Sequence, residues 1–131
     1  MKKSSAIMLA SVLLAGCATG VDGGGKNPTG TFRTEVGYQE AYRRVAAQAE
    51  ACTKGMVTGN VFTDNQTAEL RSAGNFISPV VMEKAEIKQT QDGTMVTVTM
   101  WGNGGWGSRH IEAVRQSVIQ GRIICASDLP K

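Results

Sequence analysis

The chain has 131 residues, 41% of them hydrophobic, with 14 Lys and Arg against 11 Asp and Glu and a single histidine. That bounds it to one small domain. Without Lys2 and Lys3, the 14 basic side chains become 12 against 11 acidic ones, and only Arg43 and Arg44 are adjacent in the remainder, which excludes the concentrated basic face of a nucleic-acid binder.

The chain opens MKKSSAIMLASVLLAGC: two lysines, an apolar run over Ala6 to Leu14 broken only by Ser11, and then small residues before Cys17. This is the three-part pattern of a secretory signal. The run is too short to span a bilayer, which needs about 20 residues. The segment Leu14-Ala15-Gly16-Cys17 resembles the lipobox of bacterial lipoproteins. The resemblance implies a 1–16 signal peptide, cleavage before Cys17, and acylation of its thiol and new amino terminus. Several acyl chains, at roughly 0.8 kcal/mol per buried CH2, then anchor the chain to a membrane. Ala18 follows the cysteine where an aspartate favours inner-membrane retention in enteric-type lipoproteins, so the resemblance implies the outer membrane, with the domain facing the periplasm.

Residues 17–31 read as the lipidated cysteine and a flexible tether rich in Gly, Thr, Asn and Pro, leaving 32–131 as a single domain. Tyr38, Ala41, Tyr42, Val45, Ala46, Ala49 and Cys52 recur at helical spacing and predict an amphipathic helix over 38–53. Gln39, Glu40, Arg43, Arg44, Gln48 and Glu50 are placed off its apolar stripe. The small residues in the stripe permit close approach to a sheet, or room for an apolar ligand.

Strand patterns follow at 56–63, 67–74, 80–89 and 94–101, with turns expected at Asp64-Asn65 and at Gln91-Asp92-Gly93. A second helix is expected over 108–126, with Ile111, Val114, Val118, Gly121 and Cys125 on one face, although Gly121 costs about 1 kcal/mol against Ala within a helix. The expected architecture is α+β: an antiparallel sheet of about four strands, one face covered by an N-terminal and a C-terminal helix, the other polar or partly exposed.

Besides Cys17 there are two cysteines, Cys52 and Cys125. In an oxidising compartment they suggest one disulfide, closing a loop of about 74 residues and contributing roughly 4 kcal/mol; two buried thiols are the alternative. With His110 they lack the close ligand spacing of a zinc site, so no metal is expected.

The stretch WGNGGWGSRH places Gly102, Gly104 and Gly107 in G-x-G-x-x-G spacing. A dinucleotide fingerprint needs a parallel strand after the helix, and too little chain remains, so no cofactor is expected. Trp101 and Trp106 read either as caps on the core or, with Arg109, as a partner contact beside which His110 adds a cationic edge. His110 is otherwise expected at the surface or half-buried. Ser108 beside it cannot be placed as a nucleophilic partner, and Asp64, Glu69, Glu83 and Glu86 are scattered, with Glu83 and Glu86 on opposite strand faces by parity.

The helix YQEAYRRVAAQAEAC, the strand GNVFTD and the late cysteine of GRIICA are similar to a group of small uncharacterised proteobacterial lipoproteins, over roughly residues 32–126. Tyr38, Tyr42 and Arg43 carry part of that likeness, either as packing and solvated residues or as a recognition face. The element order is also similar to helix-grip modules in outer-membrane assembly lipoproteins, a likeness of topology alone. The expected function is a non-enzymatic, outer-membrane-anchored binding or scaffold module for an envelope protein. A carrier of a small apolar ligand or lipid is the alternative, and an enzyme, such as a hydrolase, the third reading.

Overall fold

The structure is a computed structural model that describes residues 20–21, 26–74, 80–102 and 105–131, the side chains of 105 and 106 excepted. The signal segment, Cys17, most of the tether and the side chain of Trp106 lie outside the described residues. The elements run β1 (Thr29–Thr34), α1 (Tyr38–Thr53), β2 (Met56–Phe62), β3 (Thr67–Gly74), β4 (Val80–Thr90), β5 (Gly93–Met100), α2 (Gly105–Gln120) and a short 3-10 turn at Ala126–Asp128. The fold is α+β, with one five-stranded antiparallel sheet in the order β1-β5-β4-β3-β2 and two helices.

Where about four strands were expected there are five. The additional one, β1, takes Thr29–Thr31 out of the expected tether and pairs along β5 from Thr29↔Thr99 to Thr34↔Thr94. Phe32 is its apolar contribution to the core, and Thr29 and Thr31 face Thr99 and Thr97 with hydroxyls 3.1 and 3.0 Å apart. Gly20 forms a further bridge to Val81.

Helix α1 has the bounds that its stripe predicts. Ala41, Val45 and Ala49 are fully buried and join Leu70, Ile87, Val96, Val98, Val114 and Val118 in one core, where each large aliphatic side chain contributes roughly 1.5–3 kcal/mol over its exposed state. The small stripe residues serve close approach. No water-sized space adjoins Ala41, Val45 or Ala49, whose exposure is 0%. Tyr38 and Tyr42 pack against this core, and Gly59 lies so close to Tyr42 that a Cβ there would stand 2.5 Å from the phenol oxygen. Arg43 is largely solvated and pairs with Glu40, whose carboxyl lies below its ordinary range chiefly through its hydrogen bond from Arg44.

The N-terminus of α1 has no side-chain cap from its own chain segment. Instead Gln89 of β4 accepts the Tyr38 N–H at 3.1 Å and the Thr94 hydroxyl at 3.1 Å, tying the helix start to the β4–β5 hairpin. That hairpin turns through Gln91-Asp92 into Gly93, whose φ of +125° suits glycine.

Two expectations for the helices are corrected. Gln48, placed off the α1 stripe, is buried, and its amide donates to the Ile124 carbonyl at 3.2 Å. Helix α2 stops at Gln120 instead of running to 126. Gly121 adopts φ +68° and donates to Ser117 O at 3.0 Å, a left-handed termination that leaves 122–125 outside any helix or strand. Ser117 Oγ then accepts the Ile124 N–H at 2.9 Å and donates to Ile124 O at 3.1 Å, turning the tail back along the helix. Cys125 therefore sits on this returning tail, beyond the helix face assigned to it.

On the outer side of α2, Arg115 grips Glu112 through two bonds of 2.6 and 2.7 Å, and Gln116 adds a third at 2.9 Å. Chiefly through the Arg115 bond, the Glu112 carboxyl falls from its ordinary 4.5 to about 2. A lowered folded-state value stabilises above the unfolded value, and that contribution is lost as pH falls from about 4.5 toward 2. The pair is solvent-screened, so the effect is expected to be about 1 kcal/mol or less. Thermal melts of Glu112→Gln against the parent between pH 6 and 2 are expected to differ most at the upper end and converge at the lower; a constant difference contradicts this assignment.

Candidate functional site

Strand alternation sorts the sheet into a core face and an open face, and the ladder registers align the open face in three rows. One row is Thr29, Thr99, Lys84, Arg71 and Thr58. The next is Thr31, Thr97, Glu86, Glu69 and Asn60. The third is Arg33, Met95, Lys88, Thr67 and Phe62. An acidic row thus lies between two basic ones.

Glu69 and Glu86 are direct cross-strand neighbours, an unfavourable pairing of like charges, and Lys84 Nζ lies 3.4 Å from Glu86 Oε1 to offset it. An open groove of about 410 Å³ runs here, with Phe62, Thr67, Glu69, Glu86, Lys88, Met95 and Thr97 on its wall. Both helices pack on the opposite, core face. Such a face offers salt-bridge and hydroxyl partners with two apolar contacts, Phe62 and Met95, a composition suited to a polar protein surface.

The core face holds the second notable constellation. Glu83 and His110 are both buried, and His110 Nε2 lies 2.9 Å from Glu83 Oε2. The expectation of a surface or half-buried histidine is therefore corrected, and His110 forms no exposed cationic edge. By cross-strand register Glu83 lies between Ser72 and Met100. Its other oxygen, Oε1, is buried with no hydrogen-bond partner among the described residues.

A carboxylate orienting an imidazole is part of the machinery of nucleophilic catalysis, but substrate must reach it. Here the exposures are 0% and 1%. The hydroxyl beside Glu83 in the ladder, that of Ser72, is otherwise engaged and meets Thr53 at 2.8 Å. Ser108 is exposed while its neighbour His110 is buried. The pair is placed to join β4 to the start of α2. Sequence parity does carry a signal for it, because Glu83 shares a strand face with Ala85 and Ile87, and His110 stands one turn before Val114.

Cys52 and Cys125 form a disulfide, with Cα atoms 5.4 Å apart, so the two-thiol alternative is set aside. Trp101 follows β5, is 40% exposed, and donates its backbone N–H to Met82 O at 2.8 Å. Arg109 spends its guanidinium on the carbonyls of Ala126, Leu129 and Pro130, each at 3.0 Å, so it clasps the returning tail. Glu83 faces the core and Glu86 the open side, as parity requires. Among the described residues, no helix is long and apolar enough to cross a membrane. Comparison with family models, with curated proteins and with solved structures finds no match to this chain.

Proposed function

We propose that the protein is a lipid-anchored, non-enzymatic binding module of the bacterial cell envelope, held at the outer membrane through Cys17 and engaging an envelope protein with the open face of its sheet. The observation that carries the binding reading is the one-sided packing. Both helices lie on one face, and the other presents ordered rows of acid, base and hydroxyl around Phe62 and Met95. The anchoring reading rests on the lipobox-like Leu14-Ala15-Gly16-Cys17, and the Cys52–Cys125 disulfide agrees with an oxidising compartment.

The test has two arms in cells. Metabolic labelling with a fatty acid is expected to mark the parent and to vanish in Cys17→Ala; label retained in that variant, or absent from the parent, defeats the anchoring reading. A photo-crosslinking residue at Thr97 or Lys88 is expected to trap one discrete partner, whereas the same probe at exposed Gln120 on α2 is not. Equal capture from both positions, or none from the sheet, defeats the binding reading.

A further inference from the structure

Strand β2 ends the sheet, so its outer backbone edge pairs with no other strand among the described residues. Edge strands of this kind are usually blunted by charge, proline or a covering element. The opposite edge, β1, follows Pro28 and carries Arg33. From Met56 to Phe62, β2 has neither charge nor proline. It also holds three of the large apolar side chains that stand exposed: Met56 at 64%, Val61 at 38% and Phe62 at 42%.

The order of residues along β2 says what fits it. A second β2 laid antiparallel about a two-fold axis at Gly59 sets Gly59 against Gly59, Thr58 against Asn60, Val57 against Val61, and Met56 against Phe62. Every apolar residue meets an apolar one, and every polar residue a polar one. We propose that β2 is a self-recognition edge, through which two copies of this chain join into one continuous ten-stranded antiparallel sheet. Such a contact is isologous: each copy uses the same edge, so the assembly closes at two and does not grow into a fibre through β2. It is independent of the envelope reading and leaves the open rows of both copies on one extended surface.

The register gives a selective test by sedimentation velocity on the full chain in detergent. The parent is expected to sediment as a dimer at micromolar concentration. Met56→Lys and Phe62→Glu each place a charge against an apolar residue at both ends and are expected to weaken dimerisation by about tenfold or more. Mixing these two variants is expected to restore the dimer, because position 56 of one then faces position 62 of the other. Ile123→Lys, at an exposed apolar residue outside β2, is expected to leave it unchanged. Both β2 sites are exposed, and intact circular dichroism with an oxidised bridge verifies folding of each variant. A monomeric parent, a dimer indifferent to Met56→Lys and Phe62→Glu, or variants that fail to rescue one another overturns the proposal. So does a parent that stays monomeric but captures an extended peptide along β2, which assigns the edge to a different chain.

Discussion

Reducing the Cys52–Cys125 bridge, or replacing both cysteines with serine, is expected to lower stability by about 4 kcal/mol. The cysteines are 73 positions apart, so the bridge restricts a large share of the unfolded chain. For a domain of this size, whose total stability is roughly 5–15 kcal/mol, the loss is a large fraction, and a fall in melting temperature of more than about 15 °C follows. The native geometry explains why little of this is offset by relaxation. The tail that bears Cys125 is held separately by Ser117, by Gln48 and by the Arg109 clasp. Denaturant unfolding of the oxidised parent, the reduced parent and Cys52→Ser/Cys125→Ser measures the effect. If all three share one midpoint, the bridge contributes nothing and the assignment fails.

The second large effect is expected at Glu83 and His110. Removing either member leaves the 2.9 Å contact unmade inside the core, and breaking a buried pair in this way costs about 3–5 kcal/mol. Glu83→Ala and His110→Ala are each expected to fall in that range. Replacing the two together with apolar residues of similar size, as in Glu83→Leu/His110→Leu, is expected to be less destabilising than the worse single change. The double variant removes a burial cost as well as a bond, including that of the unpartnered Oε1. A double-mutant cycle by chemical denaturation reads the coupling directly. Strict additivity would show that the 2.9 Å contact carries no net interaction.

Much of the architecture was legible because local pattern and tertiary demand agree. The α1 stripe, the β4–β5 hairpin and the alternation in β5 each state their structure within a dozen residues. Strand β1 does not. Its Thr-Gly-Thr context resembles a tether, and only pairing with β5 and burial of Phe32 make it a strand. The sequence places the end of α2 too late because Ile123, Ile124 and Cys125 continue an apolar run. The backbone of Gly121 and the capture of Ile124 by Ser117 override that run.

Gln48 and His110 differ from expectation for one shared reason: a polar side chain on a helix reads as solvent-facing until its buried partner is known. Those partners, Ile124 O and Glu83, are remote in sequence. The rows of the open face were equally hidden, since they exist only once four strand registers are fixed.

The disulfide joins the end of α1 to the C-terminal tail, so the four strands β2–β5 and helix α2 lie within one covalent ring. A protease that cuts a single exposed turn inside this ring, such as the one at Asp64-Asn65, opens it without releasing a fragment. The two pieces remain one molecule until a reductant reaches the bridge. A cut between β1 and α1 has a different consequence, because β1 lies outside the ring and only non-covalent contacts, its pairing with β5, Phe32 in the core and the Gly20–Val81 bridge among them, then hold the N-terminal segment to the rest of the domain.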